Sequence, residues 1–238
     1  MDFTSPLAFD HLVVMVRDEL PQHADTYEQE GYRLSELSVH NLGSINRLIV
    51  LDTTYIELLG WPAGEPPRRK EIAEQPLGLD ALVWRSDDAA SDHDRLKAAG
   101  FDVQPVGRLE RPLEFHGEQR VARFDTVRFN TQPIEGLRMY VCQHLTPEYV
   151  WDAPLLRHPN GVTSLDTIEI ATPDTAKTAE VLSAITGAPV SVESDVTRIS
   201  LPNIELRLRH ESQLERARIA GAWVRQADGT VREFQTTG

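Results

Sequence analysis

The stretch that decides the fold of this chain lies near its start and reads Phe9-Asp10-His11-Leu12-Val13-Val14-Met15-Val16. It is rich in β-branched residues and therefore predicts a strand. Side chains alternate between the two faces of a strand, so we expect His11 on the face that carries Phe9, Val13 and Met15. An imidazole among apolar side chains needs a hydrogen-bond partner or a ligand.

A second apolar stretch with one charged residue follows at Tyr55-Ile56-Glu57-Leu58-Leu59-Gly60. The same alternation predicts that Glu57 shares a face with Tyr55 and Leu59. A carboxylate in such a run has the same need for a partner as the imidazole of His11. The pair His11 and Glu57 is therefore the first candidate for a functional site.

The order strand, helix and three strands is predicted three times, over about residues 8–60, 78–145 and 161–210. The first strands of the three units contain similar tripeptides: Phe9-Asp10-His11, Leu79-Asp80-Ala81 and Leu165-Asp166-Thr167. Such an internal repeat is stronger evidence than any single strand assignment. A segment rich in proline, 146–161, predicts a boundary between residues 1–150, which hold two modules, and 151–238, which hold a third module and a tail.

Some segments of the chain are assigned from local pattern alone. In the first two units we predict strands at 32–35 and 101–106. The polar stretch between Gly107 and Arg120 is expected to be a loop over one edge. After His210 the pattern favours a short helical run, followed by a hairpin around Asp228-Gly229.

The composition excludes several classes of function. The net charge of −13 disfavours binding to the phosphate backbone of nucleic acids. No apolar run approaches the roughly 20 residues that a membrane-spanning helix needs. The single cysteine, Cys142, rules out an internal disulfide and is typical of a reducing compartment, so we expect a cytoplasmic protein.

The chain resembles the vicinal oxygen chelate superfamily, in particular its glyoxalase-like domain proteins. The resemblance lies in the three units, in the first and last strand sequences quoted above, and in the segment Leu42-Gly43-Ser44-Ile45-Asn46. The resemblance implies an α+β fold in which repeated βαβββ modules form a curved mixed-sheet half-barrel, as in the glyoxalase, bleomycin resistance and dihydroxybiphenyl dioxygenase proteins. It implies that residues 1–150 form the glyoxalase-like domain of two modules, with the third module at the C-terminus.

The resemblance also implies a divalent metal inside the cup, such as Zn, Ni, Mn or Fe, held by the first and last strands of two units. His11 and Glu57 match the ligand positions of the first unit. In the second unit Ala81 and Tyr140 stand near those positions. In the third unit Thr167 replaces the histidine, and Glu205 is expected where Glu57 stands. A third ligand must come from elsewhere, from His144 or His40.

Each assignment has a structural alternative. His11 and Glu57 could hydrogen-bond each other or a ligand in a dry cup that holds no metal. Asn46 could fix a substrate carbonyl or carboxylate, or only stabilise a turn. Arg123, or Arg128 on the other face of the same strand, could bind an anionic substrate group or face solvent. His144 could be the third metal ligand or a cap at the end of a strand.

We therefore carry two functional hypotheses. The first is a metal-dependent enzyme of the glyoxalase type, a lyase, isomerase or dioxygenase, in which His11, Glu57 and His144 bind the metal and Glu57 also moves a proton. Asn46 and Arg123 would bind its small-molecule substrate. The second is a metal-free binding or resistance protein that uses the same cup. The unpaired third unit is expected to cover an exposed sheet or to form a homodimer contact.

Overall fold

The computed structural model describes residues 5–40, 43–65, 67, 70–194 and 196–236, so Leu42 of the glycine-containing segment lies outside the described residues. The predicted α+β class is confirmed, because few helices accompany two mixed sheets. The first sheet contains β1 (Phe9–Arg17), β2 (Ser38–Val39), β3 (Ile45–Val50), β4 (Tyr55–Gly60), β5 (Gly78–Ser86), β6 (Gly107–Phe115), β7 (Glu118–Arg128) and β8 (Arg138–His144). The second contains β9 (Val162–Thr172), β10 (Val190–Glu193), β11 (Val196–Ser200), β12 (Glu205–His210), β13 (Arg218–Gln226) and β14 (Val231–Glu233).

The helices lie between these strands as the repeat predicts. They are α1 (Leu20–Gln29), a short α2 (Lys70–Ala73), α3 (Ala89–Ala98), a 3-10 turn (Pro147–Tyr149) and α4 (Thr175–Thr186). The sequence sets their ends through local chemistry. The carboxylate of Asp88 accepts hydrogen bonds from the first turn of α3, and Asp174 does the same for α4. Gly187 ends α4 at a φ of 73°, which a glycine adopts without strain.

The first sheet is built from two units that meet side by side and nearly closes into a barrel. Its strand order is β2-β3-β4-β1-β5-β8-β7-β6, with β1 parallel to β4, β5 parallel to β8, and β1 antiparallel to β5. The two edge strands approach each other, because Nη1 of Arg111 on β6 lies 3.2 Å from Oγ of Ser38 on β2. The predicted half-barrel is therefore confirmed.

The stretch expected to be a polar loop is instead the edge strand β6, which forms a hairpin with β7. Its outward side chains are charged, and it contains Pro112, so it lacks the apolar run of a central strand. An edge strand tolerates both features because one side of its backbone needs no partner strand. The strands predicted at 32–35 and 101–106 are reduced to single bridges, Leu34 with Ile49 and Val103 with Phe129.

The tail also differs in part from its prediction. The prediction of a helical run after His210 is wrong, because the chain there forms turns and then the long strand β13. The predicted hairpin is present, with Gly229 in its turn at a φ of 87°. Strand β13 pairs antiparallel with β9. This is the position that β5 takes beside β1, so the tail supplies the strand that a fourth unit would have provided.

Two hydrophobic cores result from this arrangement. An outer core lies between the first sheet, helices α1, α3 and α4, and the second sheet, and it includes Leu12, Trp84 and Ile168. An inner core fills part of the barrel with Val13, Met15 and other inward side chains. The segment from Tyr149 to Leu156 packs against this inner core. The third unit thus covers the outer face of the first sheet.

Among the described residues, none of the helices has the length and apolar character required to cross a bilayer.

Candidate functional site

The candidate site depends on a bulge in β1. Phe9 pairs with Trp84 of β5 and His11 pairs with the next residue, Val83, so Asp10 is an extra residue on β1. Phe9 consequently belongs to the outer core together with Leu12, whereas Val13 belongs to the inner core. The expectation that His11 shares a face with Phe9 is wrong for this reason. The bulge turns both Asp10 and His11 towards the inside of the barrel.

Asp10 is fully buried and binds three cationic or potentially cationic side chains. Its Oδ2 atom lies 2.7 Å from Nδ1 of His11 and 2.9 Å from Nε2 of His144, and its Oδ1 atom accepts a hydrogen bond of 2.9 Å from Nε of Arg85. The backbone of Phe9 is held by Asn203 of the third unit through hydrogen bonds at both its N–H and its carbonyl. Asp10 is thus the hub of a buried polar network.

Asp10 orients the imidazole of His11. A carboxylate only accepts hydrogen bonds, so Nδ1 of His11 carries a hydrogen and Nε2 faces the cavity. This Nε2 atom lies 3.0 Å from the hydroxyl of Tyr140 and 3.5 Å from Oε2 of Glu57. The ring also stacks on Tyr55 at a centroid distance of 4.3 Å. His11 therefore has one defined orientation and presents one nitrogen to a ligand.

Glu57 lines the cavity beside His11. Its Oε1 atom accepts a hydrogen bond of 2.6 Å from Nδ2 of Asn46. The same nitrogen is 3.3 Å from Nε2 of His40, whose Nδ1 lies 2.8 Å from Oγ of Ser44. The buried Oδ1 of Asn46 has no hydrogen-bond partner within the described residues. The sequence-predicted residues His11, Asn46 and Glu57 are thus brought together, and Asn46 is a side-chain partner of Glu57.

Burial and charge pairing act against each other in this group. Burial by itself would raise the pKa of Glu57, but the hydrogen bond and charge of His11, with Asn46 and His40, hold it far below its usual value. Burial would lower the pKa of His11, yet Asp10 and Glu57 outweigh it and raise that pKa. Burial also opposes ionisation of Asp10, but His144 and His11 bring its pKa well below the usual range. The site therefore favours two carboxylates around a positive charge.

The cavity inside the barrel encloses about 530 Å³, including the solvent at its opening. Its apolar wall includes Leu48, Leu59, Leu109, Phe124 and Val150, and its polar groups include His11, His40, Asn46, Tyr55, Glu57, Arg111, Arg128, Arg138 and Tyr140. Such a hollow, in which polar groups converge between apolar walls, is typical of a small-molecule site. Arg128, Arg138 and Tyr140 also line a neighbouring groove towards residues 213–219, so the two spaces adjoin there.

The arginines are distributed differently from the sequence prediction. Arg123 points out of the barrel, where it is exposed and pairs with Glu110 at 3.3 Å, so the structure does not bring it to the cavity. Arg128, on the opposite face of β7, lines the cavity with its guanidinium over the ring of Tyr140. Arg111 was missed altogether because β6 was interpreted as a loop. The alternation Leu109, Arg111, Leu113 is the signal that could have identified it.

His144 does not stand beside Glu57. Its Nε2 is directed at Asp10, and its ring packs against Phe124 and Trp151, outside the cavity lining. Within the described part of the chain, one group of three residues could hold a metal ion, namely Asp10, Cys142 and His144. Burial, foremost, raises the pKa of the Cys142 thiol well above its usual value, which disfavours the thiolate that binds metals.

The strand registers show which residues of the other units correspond to Glu57. Glu57 lies opposite Val13 on β1, two residues after His11. Tyr140 lies opposite Val83, two residues after Ala81, and so occupies the equivalent place in the second unit. In the third unit that place belongs to Arg207, since Glu205 lies opposite Thr167 itself. The expectation that Glu205 stands where Glu57 does is therefore wrong.

The family model described as "Glyoxalase-like domain" matches residues 9–186 of this chain. The chain belongs to the glyoxalase-like domain family. This assignment agrees with the predicted vicinal oxygen chelate fold. No curated protein matches the chain.

Solved structures support the fold of this glyoxalase-like protein. A hypothetical protein from Staphylococcus aureus has a TM-score of 0.72 at 14% identity, over 96% of this chain and 99% of its own. A triple mutant of 4-hydroxymandelate synthase from Streptomyces coelicolor has a TM-score of 0.55 at 16% identity, over 87% of this chain and 63% of its own. At such identities the likeness establishes the fold alone.

Proposed function

We propose that this glyoxalase-like protein is a small-molecule enzyme that moves a proton next to a substrate carbonyl, with Glu57 as the proton acceptor. One observation carries the proposal: a buried, ionised carboxylate lines a cavity, beside an imidazole of fixed orientation and a phenol. General acid and base catalysis requires these group types within reach of one substrate. A fold does not determine a reaction class, so the proposal rests on these side chains.

The geometry assigns a part to each side chain. A substrate carbonyl oxygen placed between His11 and Tyr140 would accept hydrogen bonds from both, which stabilises the negative charge of an enolate. That oxygen would also draw the Nε2–H of His11 away from Glu57. Loss of a donor raises the basicity of a carboxylate, so Glu57 becomes a better base once substrate is bound. Asn46 keeps Glu57 in position through its hydrogen bond.

The experiment for this proposal is exchange of substrate hydrogen with solvent. The purified protein is incubated in deuterium oxide with small α-oxo acids, α-hydroxy ketones and acyl thioesters, and loss of the proton next to the carbonyl is followed by NMR. We expect exchange that depends on Glu57. Saturable binding of these compounds with no exchange for any of them would instead support the metal-free binding protein.

A divalent metal at the same place is a second candidate, favoured by the arrangement around His11. Asp10 holds Nδ1 while Nε2 faces Glu57, which is the outer-shell pattern that orients metal-binding histidines. His11 and Glu57 would hold the ion and leave its other positions to substrate oxygens. When bound, the ion would supply Lewis-acid stabilisation of the developing negative charge. Asp10, Cys142 and His144 fit a metal less well, because Asp10 already binds Arg85 and two imidazoles.

Metal content should distinguish a metal site at His11 and Glu57 from one at Asp10, Cys142 and His144. If a metal is bound beside Glu57, protein purified without chelator should carry about one divalent ion per chain, lost in His11→Ala and kept in Cys142→Ser, because only the first change removes a ligand next to Glu57. Mass spectrometry of the metals in dialysed protein is the measurement. The reverse pattern would place the ion at Asp10, Cys142 and His144, and metal-free wild-type protein would remove the metal from the proposal.

A further inference from the structure

Arg111 is a buried cation whose contacts leave its charge uncompensated. It lies on β6 at the seam of the barrel, is 3% exposed and lines the cavity. Its one hydrogen bond in the described structure runs from Nη1 to the neutral hydroxyl of Ser38, at 3.2 Å. Its buried Nε has no hydrogen-bond partner within the described residues. No ion pair of Arg111 is found within 4.0 Å among those residues, and the charge of Glu57 offsets only part of the lowering of the Arg111 pKa by burial.

The other arginines at the cavity are compensated. Arg138 forms an ion pair with Asp80, and Arg128 lies over the ring of Tyr140, 4.6 Å from its centroid. Among the described residues that line the cavity, Glu57 is the single carboxylate, and it accepts a hydrogen bond from Asn46 and pairs with His11 at 3.5 Å. The cavity therefore carries more positive than negative charge inside a chain whose net charge is −13.

We infer that Arg111 binds an anionic oxygen group of the substrate, a carboxylate or a phosphate, through its Nε. A buried charge without a partner is costly, and a ligand that supplies the opposite charge recovers that cost on binding. The guanidinium presents a planar fork of donors that suits either oxyanion. The inference rests on the proposed function and narrows its substrates to small anions that also carry a carbonyl.

The same geometry explains why the anion is small. The cavity encloses only about 530 Å³ even with the solvent at its opening included, so it has room for a small molecule. Glu57 and His11 come from the central strands of the sheet, whereas Arg111 comes from the strand at its seam. A short anion held by Arg111 thus points its reactive part across the barrel towards Glu57.

The experiment compares pyruvate, phosphate and the neutral pyruvamide as probes. Binding to the full chain is followed by the Nε–H signal of Arg111 in a proton–nitrogen correlation spectrum, assigned by its loss in Arg111→Lys. We expect pyruvate or phosphate to shift this signal and pyruvamide to leave it unchanged. Whichever anion binds should bind about tenfold to hundredfold more weakly to Arg111→Met, the usual effect of losing a charged hydrogen bond.

Two further readouts separate this role from a structural one. Arg111→Met should be as stable in urea as the wild type or more stable, because an apolar side chain replaces an unpaired buried charge. Arg123→Met, an exposed arginine on the next strand, should bind the probes like the wild type. Unaltered binding by Arg111→Met, or loss of binding only because that variant is destabilised, would overturn the inference.

Failure of the Arg111 inference can be distinguished from failure of the proposed proton-transfer function. Glu57→Gln removes a negative charge from the same cavity and should bind the anion at least as tightly as the wild type. Anion binding at Arg111 without any hydrogen exchange would support the inference and contradict the enzyme. Exchange that needs Glu57 and is unaffected by Arg111→Met would support the enzyme and contradict the inference.

Discussion

Replacing Glu57 by glutamine is expected to slow solvent exchange of the substrate proton by about 100- to 10,000-fold, the usual contribution of a positioned general base. Glutamine keeps the size of the side chain and can still accept the hydrogen bond from Asn46. It cannot take a proton, and it does not carry the charge that His11 faces. The expected loss therefore lies in the chemical step, with substrate binding retained.

The measurement is the exchange rate at saturating substrate, together with the dissociation constant of the same compound. Glu205→Gln provides the control, because Glu205 is also on the last strand of a unit but pairs with Arg198 and Arg207 away from the cavity. We expect this control to exchange at the wild-type rate. Equal rates for Glu57→Gln and the wild type would show that another group abstracts the proton.

The architecture could be predicted from the sequence because the patterns that indicate its strands and helices are local. Each unit begins with a strand whose apolar alternation lies within a few residues, and each of its main helices ends near a glycine. Strand β6 was not predicted because its outward residues are charged. Its identity as a strand depends on the partner β7 and on the near closure of the barrel, which no short window contains.

The meeting of His11 and Glu57 was also predictable, since both lie on neighbouring strands of one module. The role of Asp10 was not, because alternation assumes a regular strand and the bulge is a property of the pairing between β1 and β5. A signal existed nonetheless. An aspartate precedes the first inward residue in every unit, and Asp80 and Asp166 also sit where the register slips.

These three aspartates share a second feature that single strands could not reveal. Each pairs with an arginine of a neighbouring strand: Asp10 with Arg85, Asp80 with Arg138 and Asp166 with Arg225. The repeated Asp is therefore part of the architecture of the module. Only in the first unit is this aspartate followed by a histidine. There the carboxylate of the ion pair also orients an imidazole.

Replacing Asp10 by asparagine is expected to lower the free energy of unfolding by about 3–5 kcal/mol, the usual cost of removing one partner from a buried ion pair. Asp10 is completely buried, and three side chains lose their shared anion: His11, His144 and Arg85. An amide cannot accept hydrogen bonds at both of its ends, so at least one donor would remain unpaired. Urea unfolding followed by tryptophan fluorescence measures the loss.

The matched control is Asp166→Asn, which alters the same bulge position of the third unit. Asp166 also binds an arginine and accepts a hydrogen bond from Thr167, but its partner Arg225 is half exposed. Exposed ion pairs contribute about 0–1 kcal/mol, so we expect a small loss for this variant. Equal losses for the two variants would mean that the bulge itself, and not the buried charge, sets the stability.

The pH dependence provides an independent test of the same charges. The pKa of Asp10 is depressed in the folded protein, so its contribution is present above its ordinary pKa of 3.8 and is lost as the pH falls through the folded value. The pKa of His11 is raised, so its contribution is complete below 6.5 and is lost as the pH rises through the folded value. The stability difference between wild type and Asp10→Asn should therefore be widest between about pH 3.8 and 6.5. A difference that is independent of pH would show that the loss comes from packing, because packing of an isosteric side chain does not titrate.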